Sequence, residues 1–247
     1  MSPSHTSLVW FRNDLRIADN HSLLHAIKSP HQVIGLYCFD PRHFAETSFG
    51  FRKTEKFRAK FLLETVAGLK QNLEQLGIPL LVYVAQPENV IPRLVGQYHI
   101  KQVFSQKEWT SEEETVYQNV KAAVPPKILF HEVYDQFLYH PADVPFEVQK
   151  LPNVFTNFRK KCEKYASVKS IESLPQIEQK PISNPTTLPT LPDLGFQEFQ
   201  VDRRTAFPFK GGENEALARL ESYFFETQKL AYYKKTRNGL LGTDYSS

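Results

Sequence analysis

The strongest constraint on this chain is an alternation over its first 140 or so residues. Short runs of β-branched and aromatic residues are separated by longer segments of helical period, the pattern of parallel strands joined by crossover helices. Strands are predicted at Ser7 to Phe11, Val33 to Phe39, Leu80 to Val84, Gln102 to Ser105 and Ile128 to Tyr134. Between the second and third, Phe57, Phe61, Leu62, Thr65, Val66, Leu69, Leu73 and Leu76 recur at three- and four-residue steps. That spacing predicts one long helix with this stripe turned to the sheet. Pro87 opens the next helix, with Val90, Ile91, Leu94, Val95 and Tyr98 inward. A further one starts at Thr110 or Ser111, where a hydroxyl cap and Glu112, Glu113 and Glu114 suit the positive helix start. The expected fold class is therefore α/β, a five-stranded parallel doubly wound sheet. Such sheets bind ligands beyond the carboxyl ends of their strands, which directs attention to Arg12–Arg16, Asp40–Phe44 and Gln106–Trp109.

Beyond Pro141 the texture changes. Nine of the 17 prolines fall between Pro141 and Pro208, and the part from Ser183 to Pro192 reads as an extended linker over the surface. Gly211 and Gly212 then precede an amphipathic segment, Glu213 to Phe225, with Leu217, Leu220, Phe224 and Phe225 on one stripe. The division expected is 1–140 as the α/β domain, 141–208 as linker, and 209–247 as the start of a truncated all-helical domain.

Several function classes drop out. The 10 glycines form neither Gly-x-Gly-x-x-Gly nor a Gly-x-x-x-x-Gly-Lys loop, so ordinary dinucleotide dehydrogenases and P-loop ATPases are disfavoured. Cys38 and Cys162 give neither a zinc spacing nor a disulfide framework. No apolar run approaches the ~20 residues of a membrane span, and the polar start lacks the order of a signal peptide. The expected compartment is the cytosol, or an organelle stroma once a transit peptide is removed. Net charge is +3, with 30 Lys and Arg against 27 Asp and Glu, too balanced to imply nucleic-acid binding by itself.

The opening Leu8-Val9-Trp10-Phe11-Arg12-Asn13-Asp14-Leu15-Arg16-Ile17-Ala18-Asp19-Asn20 resembles the fingerprint of the photolyase and cryptochrome family. Together with Asp40-Pro41-Arg42 and Thr236-Arg237-Asn238-Gly239 it is most similar to the cryptochrome DASH branch. The resemblance spans the whole chain and implies a blue-light flavoprotein of about twice this length. It implies an N-terminal antenna-type α/β domain and a helical domain holding FAD. The implied activity is light-driven repair of cyclobutane pyrimidine dimers, chiefly in single-stranded DNA, or photoreception, with 5,10-methenyltetrahydrofolate as an antenna.

Carried onto individual positions, the resemblance makes Glu108 the antenna-pocket residue. A carboxylate there can accept two parallel hydrogen bonds from a pterin, although a solvated glutamate before an acidic helix start is the plainer reading. Asp40 and Phe39 are weaker candidates for the same wall. Tyr233 matches a flavin-contacting tyrosine, and Ser246 and Ser247 match the start of a hydroxyl-bearing FAD phosphate motif; a plain helix cap is the compatible alternative at Ser246. No catalytic residue and no metal ligand is assigned. Arg12, Asp14 and Arg16 are read as structural ion pairs tying the strand end to the linker or helical domain. The basic clusters Arg52–Lys60 and Arg159–Lys164 are read as solvated helix faces. Trp10 and Trp109 both belong to the α/β part, whereas the resemblance implies relay tryptophans in the helical domain, so no electron relay is drawn here. By itself the chain is expected to repair nothing. The alternatives are a stand-alone nucleotide- or pterin-binding α/β module that complements a separate helical half, and a generic nucleotide-binding domain.

Overall fold

The computed structural model describes residues 5–202, 205 and 208–236. Five parallel strands form one sheet: β1 (Thr6–Trp10), β2 (Gln32–Cys38), β3 (Leu80–Tyr83), β4 (Ile100–Gln106) and β5 (Leu129–Val133), in the order β3-β2-β1-β4-β5. Helices α1 (His21–Lys28), α2 (Lys56–Gln75), α3 (Pro87–Gln97) and α4 (Ser111–Ala123) are the crossovers.

Successive strand residues point to opposite faces, so the sheet splits the core in two. Val9, Phe11, Val33 and Tyr37 join Leu23 and Ala26 of α1 and Val66, Leu69 and Leu73 of α2 on one side. Leu8, Trp10, Ile34 and Leu36 join Val90, Ile91 and Leu94 of α3 and Tyr117 and Val120 of α4 on the other. Because both faces are covered, the inner strands read as unbroken apolar runs, which is why their positions were legible. Gly35 lies at the tightest point of β2. A Cβ there would sit 3.0 Å from Leu80 Cδ1 and 3.1 Å from Phe11 Cε2.

One expectation about a stripe needs correction. Phe57 and Phe61 do not face the sheet: they are 63% and 44% exposed, and α2 instead buries Ala59, Val66, Leu69, Asn72 and Leu73. The first turns of α2 overhang the sheet's carboxyl edge, and Phe57 packs edge-on against Phe199 at 4.9 Å. The expected helix from Glu213 is α6 (Glu213–Glu221), followed by a π-helical turn at Ser222–Glu226. Its stripe of Leu217, Leu220, Phe224 and Phe225 is exposed among the described residues.

A docked coil covers the free edge of β3. Val82 N donates to Thr186 Oγ1 at 2.9 Å, and Asn184 Nδ2 donates to the Leu80 carbonyl at 2.8 Å. Gln179 brackets Val33, accepting from its N–H and donating to its carbonyl. Side chains of the proline-rich stretch thus satisfy backbone groups that an open edge would present to another chain. Further on, Leu191, Leu194 and Phe196 enter the core beside Phe44. Helix α5 (Phe155–Tyr165) precedes this coil, and α7 (Tyr233–Thr236) closes the described part.

Candidate functional site

Strand order reverses between β1 and β4, so the loops leaving these two strands diverge and open a crevice. A cavity of about 1110 Å³ lies there. Its walls come from the loops after β1 and β2, the first turns of α4, the early turns of α2 and the start of α6.

The loop after β1 is fixed from within. Asp14 is buried and accepts from Arg12 N at 2.9 Å and Asn20 Nδ2 at 3.2 Å, while Asn20 caps α1 by accepting from Leu23 N. Burial raises the Asp14 pKa, partly offset by the hydrogen bond from Arg12 N. Arg16 donates to the Ala18 and Asp19 carbonyls and lies 3.8 Å from Asp135. The structural reading of these charges therefore stands, with different partners: they tie the strand end to α1 and the loop after β5. Contact with α6 runs instead through Glu213, whose carboxylate accepts from Ile17 N at 2.9 Å and Ala18 N at 2.7 Å.

Arg12 reaches across the cavity wall. Its guanidinium donates to the Glu113 carbonyl at 2.8 Å and lies 4.9 Å from the centre of the Trp10 ring, which stacks on Tyr117. Burial lowers the Arg12 pKa, against the pull of Glu108 and Glu113. At the head of α4, Thr110 and Glu113 form the reciprocal capping box that the acidic run foreshadowed. Across the crevice Asp40 holds Arg42 through both carboxylate oxygens, and Arg42 also grips Glu88. Burial pushes Asp40 upward, but the hydrogen bonds from Arg42 outweigh it and leave the pKa lowered. Asp40 lines the cavity, whereas Phe39 is buried in the core.

Glu108 follows β4 at the reversal point and is only 3% exposed. Its Oε1 accepts two long hydrogen bonds, 3.4 Å from Asn13 N and 3.3 Å from Gln106 Nε2. Among the described residues no hydrogen bond reaches its other oxygen, and the buried Gln106 Oε1 has no partner either. Burial raises the Glu108 pKa. Glu108 is not itself a lining residue, but Asn13, whose N–H donates to it, and Arg12 are. A buried carboxylate with one oxygen spare beside an unpaired amide oxygen suits a planar ligand edge bearing several N–H donors.

The family model for DNA photolyase matches residues 7–180. The chain belongs to the DNA photolyase family. Among curated relatives, the cryptochrome DASH of Gloeobacter violaceus is 45% identical over 98% of this chain and 49% of its own length. A solved cryptochrome of Synechocystis sp. superposes with a TM-score of 0.90 at 40% identity, over 98% of this chain and 50% of that one. A class III photolyase from Agrobacterium tumefaciens shares the fold with a TM-score of 0.72 at 20% identity, over 95% of this chain and 47% of that one. The chain spans about half the length of the curated relatives it matches.

Within this photolyase-family fold the sequence-based candidates do not converge. Glu108 lies at the strand reversal, whereas Tyr233 begins the short α7 and is 41% exposed. Ser246 and Ser247 lie outside the described residues, as do Arg237, Asn238 and Gly239. Three groups at or beside the cavity escaped the sequence reading: the Arg42–Glu88 clamp, Glu213, and the pair of His21 Nδ1 with Asp135 Oδ1 at 2.6 Å. Only Glu213 carried a local signal, an acidic residue in the first turn after Gly-Gly. Cys38 and Cys162 are free thiols. No helix among the described residues is long and apolar enough to cross a membrane.

Proposed function

We propose that this chain is the antenna-binding portion of a blue-light flavoprotein. With the part of its relatives that the chain does not span, it carries FAD and repairs cyclobutane pyrimidine dimers in light, preferably in single-stranded DNA. Photoreception by the same assembly is the second reading. The observation that carries the antenna role is the spare acceptor pair at the strand reversal, Glu108 and Gln106 Oε1, beside a cavity large enough for a folate-sized heterocycle.

Bound 5,10-methenyltetrahydrofolate supplies near-ultraviolet and blue absorption and passes the excitation on. The chain's own residues do the rest. Glu108 and Gln106 accept from the pterin's amino and ring N–H groups, and Asn13 holds the carboxylate in place. Arg12 balances its charge. For FAD the described residues offer only Tyr233, half-exposed on α7, so no step is derived through the flavin. The domain division proposed is 1–140 for the antenna unit, 141–208 for the connecting coil and 209–247 for the beginning of the flavin-binding unit. The compartment proposed is the cytosol or an organelle stroma, and the chain alone is expected to repair no dimers.

An absorbance titration of the chain with 5,10-methenyltetrahydrofolate tests the reading. The wild type should red-shift the folate band on binding. Glu108→Gln, which exchanges an acceptor oxygen for a donor, should weaken affinity at least about tenfold, the loss of one charge-assisted hydrogen bond. Unchanged affinity removes Glu108 from the site.

A further inference from the structure

Helix α5 and the coil on either side of it, residues 150–171, hold six Lys and Arg against one Glu, in a chain whose net charge is +3. Solvation of a helix face accounts for these cations but not for the apolar side chains among them. Leu151, Val154, Phe155, Tyr165, Val168 and Ile171 are all exposed, Phe155 at 72% and Ile171 at 76%.

On α5 the residues Phe155, Phe158, Cys162 and Tyr165 recur at three- and four-residue steps, which sets them on one arc. The middle of that arc packs inward: Cys162 is buried, and Phe158 stacks on Phe146 with 5.5 Å between ring centres. Its two ends do not. Each end runs on into exposed aliphatic residues, Leu151 and Val154 before the helix and Val168 and Ile171 after it. The cations border the same side. Lys161 Nζ lies 5.2 Å from the centre of the Phe146 ring, and Lys164 Nζ 4.9 Å from that of Tyr165. Arg159 pairs with Glu163 at 2.8 Å, Lys150 with Glu147 at 2.7 Å, and Lys169 lies 3.9 Å from Asp143. Among the described residues no carboxylate lies within ion-pair distance of Lys160, Lys161 or Lys164, so three positive charges stay uncompensated. No residue of 150–171 lines the cavity at the strand reversal.

We propose that α5 and its flanks attach the chain peripherally to an anionic bilayer surface. Phe155, Tyr165 and the aliphatic residues beyond them enter the headgroup boundary, and Lys160, Lys161 and Lys164 meet lipid phosphates. Four of the six exposed side chains are aliphatic, which decides the class of partner. A nucleic acid gives rings a base to stack on but offers aliphatic chains no apolar phase, whereas a bilayer accepts both. A second copy of this face would bring like charges together. An acidic protein would need a fixed surface complementary to a patch that runs from helix into irregular coil, and lipid adapts to such a shape. Neither a few apolar side chains nor three cations hold a protein on a bilayer alone; the two together do. The attachment is to the surface, since no helix among the described residues is long and apolar enough to cross. It does not depend on the antenna reading.

Co-sedimentation of this chain with sucrose-loaded vesicles tests it, using phosphatidylcholine alone and an equal mixture of phosphatidylcholine and phosphatidylglycerol. At low salt the anionic vesicles should bind at least about tenfold more tightly than the neutral ones, and the difference should vanish near about 1 M salt. Phe155→Ser with Ile171→Ser, both at exposed positions, should weaken binding to anionic vesicles at least about tenfold while leaving the melting temperature unchanged. Lys160→Gln, Lys161→Gln and Lys164→Gln together should weaken it about a hundredfold, about fivefold for each cation near the surface. Absence of vesicle binding, equal affinity for neutral and anionic vesicles, or normal binding by either set of variants would overturn the proposal. Capture of an oligonucleotide or a second copy by this face in place of vesicles, read as polarisation or sedimentation lost in the same variants, would do so too.

Discussion

Glu108 illustrates how a single residue trades stability for a site. Its folded-state pKa is raised by burial, so above the ordinary carboxylate range the folded chain holds a proton that the unfolded chain releases. The sign follows directly. In the window between the unfolded and folded values the native state binds more protons, and stability falls as pH rises through it. Glu108→Gln has no proton to lose and can donate its new N–H to the unpaired Gln106 Oε1. The variant should melt about 1–3 °C higher than wild type at pH 7, and the two melting curves should converge below about pH 4. A variant that melts lower at pH 7 would contradict this account. The position of Glu108 after a strand was legible in the sequence. Its spare oxygen was not, since that depends on how Asn13, in the loop after β1 and distant in sequence, and Gln106, at the end of β4, approach it.

At the scale of elements, the junction of α2 with α6 is the tightest close approach. A Cβ on Gly211 would lie 2.2 Å from the Phe61 carbonyl oxygen and 2.6 Å from Thr65 Oγ1, so no other residue fits without moving a helix. Glu64 accepts from Gly211 N at 2.9 Å, and Glu213 and Asn214 reach Asn72 on the same helix. Gly211→Ala should cost this docking about 1–3 kcal/mol. Protease cleavage near Lys210 should then accelerate at least about fivefold in the variant, because cleavage follows the population of the opened segment. An unaltered cleavage rate would mean that the glycine is not a packing requirement. Elements whose pattern is local were read correctly: the stripe of α3, the capped start of α4 and the five strands all follow from period and caps. Helix α1 was not singled out, because eight residues give barely two turns of periodicity and its main signal is the lone cap Asn20. The outward rings of α2 were misread for a different reason. Period identifies an apolar stripe but not whether another element stands in front of it.

For the whole molecule, the proline-rich coil is part of the sheet's edge rather than a passive spacer. Thr186→Val keeps the shape of the side chain but leaves the buried Val82 N–H without an acceptor. It should cost about 1–3 kcal/mol in urea unfolding and speed amide exchange at Val82; an undiminished midpoint would show the edge to be held some other way. None of this docking was legible, since prolines and polar residues announce a coil but not where it lies. The measurement that tests the central claim most directly is equilibrium dialysis of this chain against 5,10-methenyltetrahydrofolate and FAD together. The account predicts that the folate is retained at one equivalent and lost in Glu108→Gln, while FAD passes through; retention of FAD with no retention of folate would contradict it.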